Sequence, residues 1–405
     1  MGKLVKIEGG VTAPQGFTAS GVHAGIKGKG TKLDLAMIVS LQDAAIAGTF
    51  TTNKIQGSHV KLCRQRIAGR KARAIVVNSG CANACTGPQG LVDAELMALC
   101  AAKELGIDEK VVFVCSTGTI GIPLPMDRID AGIKAAVLSL SETGGQTAAK
   151  AIMTTDTVDK QYAVELTIDG RIVRIGGMAK GAGMIEPNMA TMLAFLTTDA
   201  AVESRALQKC LSTAVGKSFN RVTIDGDQSC NDTVLFMANG TAGNGALNEN
   251  HPDWKTFTDA VEDVARELAV KIAKDGEGAT KFVTVTVKSA ASDDGAHKAA
   301  RAVANSLLVK TSWFGGDPNW GRVIDAVGYS GADVKEELID ISYDGLLAVK
   351  GGRANPDVSI KDLEEVIARK SFVLDIELHL GKGSDVVYTC DCSEEYVKIN
   401  SEYMT

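Results

Sequence analysis

A chain of 405 residues is too long for one small hydrophobic core, and suits a few domains or one large layered α/β unit. Its composition, 45% hydrophobic and 23% charged, is that of an ordinary folded protein. A net charge of -6 and an aromatic content of 5% exclude a basic or base-stacking surface, so nucleic acid is not expected as a partner. The sequence has no apolar run of membrane-spanning length and no secretory signal at its N-terminus, so a cytoplasmic protein without membrane contact is expected.

Short apolar runs alternate with helical patterns in the first third of the chain, which is typical of a layered α/β domain. Strands are predicted over 36–40, 44–51, 74–78 and 111–115. Helices are predicted over 58–68, from the end of a polar loop over 79–90 through Leu105, over 126–138 and over 146–153. The strand over 111–115 is expected to end in a tight turn at Thr117 and Gly118.

A hairpin over 161–175, with its turn at Asp169 and Gly170, leads into a glycine-rich segment that reaches Pro187. We predict little regular structure in that segment, including Gly176 and Gly177. The composition of the chain changes at Ala190. From Thr191 a compact apolar run replaces the glycine-rich segment and predicts a buried strand.

The second half of the chain repeats the alternation of helices and strands. Helices are predicted over 204–219, 254–274 and 362–368, strands from 281 and over 371–380, and a loop over 315–322. The last ten residues are predicted to run straight to the C-terminus. We place a smaller C-terminal α/β domain at 281–405.

Two glycine-rich segments resemble nucleotide-binding loops only in part. The segment over 25–32, GIKGKGTK, lacks the Lys-Ser/Thr ending of a phosphate loop and follows no clear strand, so a turn is favoured. The segment over 176–183 has no helix after it to hold a pyrophosphate, which argues against a dinucleotide fold. The nine cysteines are expected to be mostly buried thiols, and the absence of histidine at ligand spacing near them predicts no metal site.

The boundary at Thr191 is compatible with acyl chemistry as well as with a plain core strand. Cleavage before Thr191 would give one residue that carries both a hydroxyl nucleophile and an amine base. Thr117 and Gly118 would offer donors to an oxyanion, although a simple strand-end turn explains them too. Lys180 could pair with a carboxylate or simply face solvent, and Glu277 could project from its Gly-Glu-Gly turn or end a helix.

Seven segments, in order, resemble signatures of the ornithine acetyltransferase family, the glutamate N-acetyltransferases of cyclic arginine biosynthesis. They are CSTGTIG at 115–121, TTDT at 154–157, KGAGMIEPNMATMLAFLTTDA at 180–200, DGDQSCNDT at 225–233, GEGATK at 276–281, GDPNWGR at 316–322 and INSEYMT at 399–405. The chain departs from the expected pattern at Cys81, in place of Asn, and at Gln228 and Cys230, in place of Thr. None of these positions carries a predicted chemical role.

The resemblance implies an α/β (α+β) fold, a layered αββα-type sandwich of the self-cleaving amidase and ornithine acetyltransferase type. It also implies a precursor that cuts itself between Ala190 and Thr191, giving an α chain of residues 1–190 and a β chain of residues 191–405. In the family the two chains form a heterotetramer with two copies of each.

The resemblance further implies ping-pong transfer of the acetyl group of N2-acetyl-L-ornithine to L-glutamate through an acetyl-threonine ester. Thr191 would be the nucleophile and Thr117 with Gly118 the oxyanion hole, and the residues that contact substrate would be Thr154, Lys180, Thr191, Glu277, Asn400 and Thr405. No cofactor or metal is implied, and acetyl-CoA is a possible co-substrate for a second, N-acetylglutamate synthase activity. Two alternatives remain: a self-cleaving threonine-nucleophile aminopeptidase or amidase, and an amino-acid binding protein with an uncut chain.

Overall fold

The structure, a computed structural model, describes residues 4–28, 30–186 and 192–402. These residues divide into two compact units. The first contains the chain up to Asn220 together with residues 227–272, and the second contains residues 221–226 and the chain from Ala273 onward. Among the described residues, no helix combines the length and the apolar content that a membrane span requires.

The first unit is built on one nine-stranded sheet. Its strands are β1 (Val5–Ile7), β2 (Phe17–Val22), β3 (Leu35–Phe50), β4 (Lys71–Cys81), β5 (Val112–Thr119), β6 (Lys160–Ile168), β7 (Arg171–Lys180), β8 (Leu193–Thr198) and β9 (Thr233–Ala238). Its helices are α1 (Ser58–Arg66), α2 (Gly87–Leu105), α3 (Met126–Leu138), α4 (Gly145–Ala151), α5 (Ser204–Lys217) and α6 (Trp254–Lys274). The strands follow the order β1-β6-β7-β8-β9-β3-β4-β5, and β2 pairs with β3.

Strand β3 connects the two halves of this sheet. Its residues 35–40 pair with β2, residues 35–39 also pair with β4, and residues 45–50 pair with β9. The ladder with β4 is irregular between Val39 and Ala44, where residues 41–43 are exposed. The sequence predicts separate strands over 36–40 and 44–51, and the structure has one, because Ala44 and Ala45 still pair with β4.

The two halves of the sheet lie face to face between layers of helices. One buried cluster draws alternate residues from both halves: Ile75, Val77, Phe113 and Cys115 from β4 and β5, and Met178, Phe195, Leu235 and Met237 from β7, β8 and β9. The other faces of β4 and β5 pack against α2 and α3, and α5 and α6 cover the second half. The order helix, sheet, sheet, helix confirms the predicted layered α/β sandwich.

The second unit has a six-stranded sheet in the order β13-β12-β11-β14-β10-β15. Its strands are β10 (Phe282–Ala290), β11 (Asp340–Tyr343), β12 (Leu346–Lys350), β13 (Arg353–Ala354), β14 (Ser371–Glu377) and β15 (Gly383–Cys390). Its helices are α7 (Asp293–Asn305), α8 (Leu307–Phe314), α9 (Trp320–Gly328), α10 (Ile360–Ile367) and α11 (Glu394–Glu402). The alternation read in the sequence from residue 281 is visible in β10, where Val283, Val285 and Val287 are buried.

Some local predictions for the second half of the chain are wrong. The predicted loop over 315–322 ends early, because the side chain of Asn319 accepts a hydrogen bond from the Arg322 N–H (3.2 Å) and starts α9. Residues 394–402 form α11 instead of an extended tail. The nine cysteines are all free, as expected, although Cys85 is exposed and not buried.

Candidate active site

The predicted oxyanion residues lie inside strand β5, and the expectation of a tight turn there is wrong. Thr117 and Gly118 continue the parallel ladder with β4, whose register shifts between Gly80 and Cys81. Gly118 has φ of 126°, and a Cβ there would lie 2.7 Å from the Cys81 nitrogen. Only glycine fits this position without moving backbone, because the conformation is left-handed and the two strands approach closely.

Replacing Gly118 by alanine is expected to destabilise the protein by about 1–3 kcal/mol, because the new methyl group must displace the β4 backbone. The free energy of unfolding in urea measures this loss. Gly121→Ala is the matched control: Gly121 also has a positive φ of 84°, but nothing lies within 4 Å of an added Cβ. If both variants lose the same free energy of unfolding, the close approach of β4 to Gly118 does not contribute to the loss.

A buried cluster of two lysines and one aspartate lies at the end of β7. Asp156 Oδ1 lies 2.7 Å from Lys160 Nζ and accepts a 2.6 Å hydrogen bond from the Gly181 N–H. Its Oδ2 lies 4.0 Å from Lys180 Nζ. The sequence favours a loop position for Lys180, but the residue ends β7 and is 3% exposed. Gly176 and Gly177, also expected in a loop, pair with both β6 and β8.

The same aspartate fixes the backbone of Thr154, another predicted substrate residue. The Thr154 N–H donates to Asp156 Oδ2 over 2.9 Å. Burial opposes ionisation of Asp156, but the charges of Lys180 and Lys160 and the Gly181 amide together hold the pKa of its carboxyl well below its usual range. Asp156 is therefore ionised at neutral pH, and it orients Thr154 and Lys180.

Residues 231–232, which precede β9, link the end of β5 to the start of β8. The Asn231 side-chain amide donates to the carbonyl oxygens of Ser116 (2.8 Å) and Ala82 (2.7 Å). The buried carboxyl of Asp232 accepts a 2.8 Å hydrogen bond from the Met192 N–H. These two neighbours thus fix the residue before Thr117 and the residue after Thr191.

The environment of Asp232 favours its neutral form. Burial raises the pKa of its carboxyl well above the usual range, although the Met192 amide acts in the opposite direction. Sequence reasoning missed Asn231, Asp232, Asp156 and Lys160 as site residues. The only available signal was that three of them fall in the segments TTDT and DGDQSCNDT, which carried the family resemblance without individual roles.

Within the second unit the structure brings Glu277 and Asn400 together. Glu277 lies in a turn between α6 and β10, which is one of the two alternatives that the sequence left open, and is buried. Asn400, on α11, donates from Nδ2 to Glu277 Oε2 over 2.8 Å. The turn needs Gly278, whose φ is 67° and whose added Cβ would lie 2.6 Å from the Tyr396 nitrogen.

Three of the predicted residues, Ala190, Thr191 and Thr405, lie outside the described residues. The other predicted site residues are described, and they form groups within each unit. Thr117 with Gly118, and Thr154 with Lys180, belong to the first unit, and Glu277 with Asn400 to the second.

One surface group has the composition of a metal site. The ligand atoms of Asp169, His251 and Asp253 lie within 4.8 Å of one another. Their own hydrogen bonds account for this arrangement, because Asp253 accepts from the Asp169 N–H (3.0 Å) and His251 Nε2 lies 3.1 Å from Asp169 Oδ2. These bonds fasten the β6–β7 turn to the segment before α6, and the expectation of no metal site stays a prediction.

The helix–sheet–sheet–helix layers place the chain in the class of layered α/β sandwich proteins. More specifically, the chain belongs to the ArgJ family, which it matches over residues 18–405. The protein of Symbiobacterium thermophilum is 49% identical over 402 residues, which cover 98% of this chain and 99% of that one. The protein of Geobacter sulfurreducens is 50% identical over 392 residues, with 96% and 99% covered. Both are named "Arginine biosynthesis bifunctional protein ArgJ".

Two solved structures are also similar to parts of this chain. The ArgJ protein of Bacillus halodurans is 41% identical, with a TM-score of 0.51, and the match covers 53% of this chain and 100% of that chain. The ornithine acetyltransferase of Mycobacterium tuberculosis, solved with ornithine, is 43% identical, with a TM-score of 0.43 and coverage of 47% and 100%. The predicted family, and with it the prediction of an acetyltransferase of arginine biosynthesis, is confirmed.

Proposed function

We propose that this protein moves the acetyl group of N2-acetyl-L-ornithine to L-glutamate through an ester on Thr191. The main support is the match to the ArgJ family over residues 18–405, a span that includes every predicted site residue. The proposal also covers the acetylation of glutamate by acetyl-CoA, in keeping with the name "bifunctional" of the relatives. We place the reaction in the cytoplasm.

The proposed reaction has two acyl transfers. The Thr191 hydroxyl attacks the acetyl carbonyl carbon, its proton passes to the Thr191 α-amine, and the C–N bond breaks as that proton moves to the departing ornithine amine. The glutamate α-amine then attacks the ester and takes the acetyl group, while its proton returns to the threonine oxygen. The chain supplies nucleophile and base, and Thr117 and Gly118 are proposed as the oxyanion donors, so this route needs no resident cofactor or metal.

Self-cleavage between Ala190 and Thr191 must come first, because an amide nitrogen cannot act as the base. The solved ArgJ chain of Bacillus halodurans supports this cut: the whole of that chain covers 53% of this one, which is the share that residues 191–405 make up. The hydrogen bond from the Met192 N–H to Asp232 is consistent with this cut, since it would fix the position of the residue after the new N-terminus. We propose that the two chains assemble as a heterotetramer with two copies of each.

Substrate recognition is assigned to residues on both sides of the cut. Lys180 is proposed to pair with the α-carboxylate of the substrate, because its ammonium group is a buried cation that the charge of Asp156 holds in place at 4.0 Å. Glu277, oriented by Asn400, is proposed to accept the side-chain ammonium of ornithine. Thr154 and Thr405 complete the proposed contacts.

Incubating the protein with N-acetylornithine, with and without glutamate, tests the proposal. We expect N-acetylglutamate and ornithine in equal amounts, with little free acetate. An aminopeptidase or amidase would instead pass the acetyl group to water, so acetate release that does not depend on glutamate would contradict the transferase.

A further inference from the structure

A cavity of about 530 Å³ in the first unit includes Thr154 and opens among lysines. Two parts of the chain contribute to its lining. The glycine-rich segment over 25–32 contributes Lys27, Thr31 and Lys32, and the end of α4 with the residues after it contributes Lys150, Met153 and Thr154. That segment is the one whose resemblance to a phosphate loop was incomplete in the sequence. None of the residues proposed for acetyl transfer from N-acetylornithine lies in this segment.

The described residues at the start of this segment are held in place by a buried carboxylate. Asp34 accepts hydrogen bonds from the N–H groups of Ala24 (2.6 Å) and Lys27 (3.1 Å). The ammonium group of Lys27 donates to the Leu33 carbonyl over 2.8 Å, which keeps it at the inner side of the segment. The cavity therefore has one anchored, half-buried lysine and, with Lys32 and Lys150, two exposed ones.

Positive charge dominates the lining. Its acidic members are Asp156, which is paired with the buried Lys160 (2.7 Å), and Asp159, which accepts from Gln161 (2.8 Å). Burial, reinforced by the charges of Lys32 and Lys180, lowers the pKa of Lys27 to about 8 against the opposing effect of Asp34. A bound anion would relieve the repulsion between these ammonium groups, so the cavity suits a ligand with several negative charges.

The acyl acceptor and the ornithine donor do not need such a site, because Lys180 is already assigned to their carboxylates. Acetyl-CoA does, since it carries its acetyl thioester at one end of a long chain and phosphate groups at the other. We propose that this cavity is the acetyl-CoA site, with Lys32 and Lys150 holding the phosphates and the pantetheine arm passing Met153 and Thr154 toward the acyl site. This inference rests on the proposed acetyl-CoA reaction.

The step it serves is a balanced acyl transfer. The Thr191 hydroxyl attacks the thioester carbonyl carbon, the C–S bond breaks, and the proton taken up by the Thr191 amine passes to the CoA sulfur. The resulting acetyl-threonine ester is the one formed from N-acetylornithine, so glutamate accepts the group in the same way. N-acetylornithine and acetyl-CoA then differ only in the contacts that bind them. Lys32 and Lys150 should therefore affect the reaction with acetyl-CoA and not the reaction with N-acetylornithine.

The test uses the full protein with the charge reversals Lys32→Glu and Lys150→Glu combined. The KM for acetyl-CoA, with glutamate as acceptor, is expected to rise about tenfold or more, because two phosphate contacts become repulsive. The KM for N-acetylornithine should change less than about twofold, which also shows that the variant folds. Adenosine 3′,5′-bisphosphate should compete with acetyl-CoA in the wild type, and much less well in the variant.

Lys61→Glu combined with Lys103→Glu is the matched control, because it makes the same change in net charge at exposed positions on α1 and α2 away from the cavity. It should leave both KM values nearly unchanged. An acetyl-CoA KM no higher in the cavity variant than in this control would overturn the proposal. So would an equal rise in both KM values, which would assign the cavity to a carboxylate that the two reactions share.

The inference and the proposed function fail separately. If the wild type transfers acetyl groups from N-acetylornithine but makes no N-acetylglutamate from acetyl-CoA, the cavity proposal is wrong and the transferase stands. If N-acetylornithine itself is not a donor, the proposed function is wrong.

Discussion

Replacing Thr191 by alanine is expected to leave a single uncut chain of 42.4 kDa and to lower acetyl transfer to less than about a thousandth of the wild-type rate. The variant lacks the hydroxyl that would attack the acetyl carbon, and without cleavage it also lacks a free amine next to the reaction. Denaturing mass analysis measures the cut, and the release of ornithine from N-acetylornithine measures the transfer.

Thr191→Ser is the companion variant, because it keeps a hydroxyl and removes only a methyl group. Some cleavage and some transfer should return in it. Normal turnover by the alanine variant would refute Thr191 as the nucleophile. Loss of both activities in the serine variant, in a folded protein, would show that the methyl group is needed to place the hydroxyl.

Asp156→Ala is expected to lower the free energy of unfolding by about 3–5 kcal/mol, because it leaves the fully buried Lys160 without its carboxylate partner. Urea denaturation measures the loss. Asp130→Ala provides the control, since Asp130 pairs with Lys134 at the same sequence spacing but on the surface, and it should change stability little.

A second substitution separates the charge effect from a general loss of packing. Lys160→Met in the Asp156→Ala background removes the stranded ammonium group and should recover much of the lost stability. Failure of the double variant to recover any would mean that the cost of losing Asp156 is not electrostatic.

Acid should also lower the stability of the wild type relative to the double variant Asp156→Ala with Lys160→Met, which has neither of the two charges. The pKa of Asp156 is lowered on folding, so its contribution is fully present above the pKa of an unfolded aspartate, about 3.9, and is lost as pH falls below that value. Between about pH 5 and 8 the difference in unfolding free energy between these two proteins should stay constant. A wild type that gains stability relative to the double variant on acidification would contradict the ionised, paired carboxylate.

Strong local patterns predicted most of the elements of the fold. Runs such as AIVVN in β4 and FVTVTV in β10 are strands because apolar β-branched side chains need a covered sheet face. The sequence could not predict that Gly176 and Gly177 are strand residues, since glycine has little intrinsic preference for a strand. Their positions come from long-range contacts. Strands β6 and β8 supply the hydrogen bonds, and a Cβ on Gly177 would lie 2.8 Å from Leu268 Cδ1, too close for any other residue to fit without displacing that side chain.

For the site residues too, local sequence predicted some features, whereas others depend on contacts between distant parts of the chain. The resemblance assigned Lys180 a substrate role from its motif, but its buried position beside Asp156 depends on a segment 24 residues earlier in the chain. Nothing in the polar run TTDTVDK marks Lys160 as buried, because isolated lysines are usually exposed. The position of Asp232 could not be predicted either, since the group that it binds is a backbone N–H some 40 residues away.

The most direct test of the acetyl-threonine mechanism follows the acetyl group itself. Protein incubated with N-acetylornithine carrying an isotope-labelled acetyl group, in the absence of glutamate, is denatured and analysed by mass. We expect the label on a chain that begins at Thr191, as an ester on that residue. When glutamate is added before denaturation, the label should transfer completely to N-acetylglutamate. Formation of labelled N-acetylglutamate by an uncut chain, or without label ever on Thr191, would contradict it.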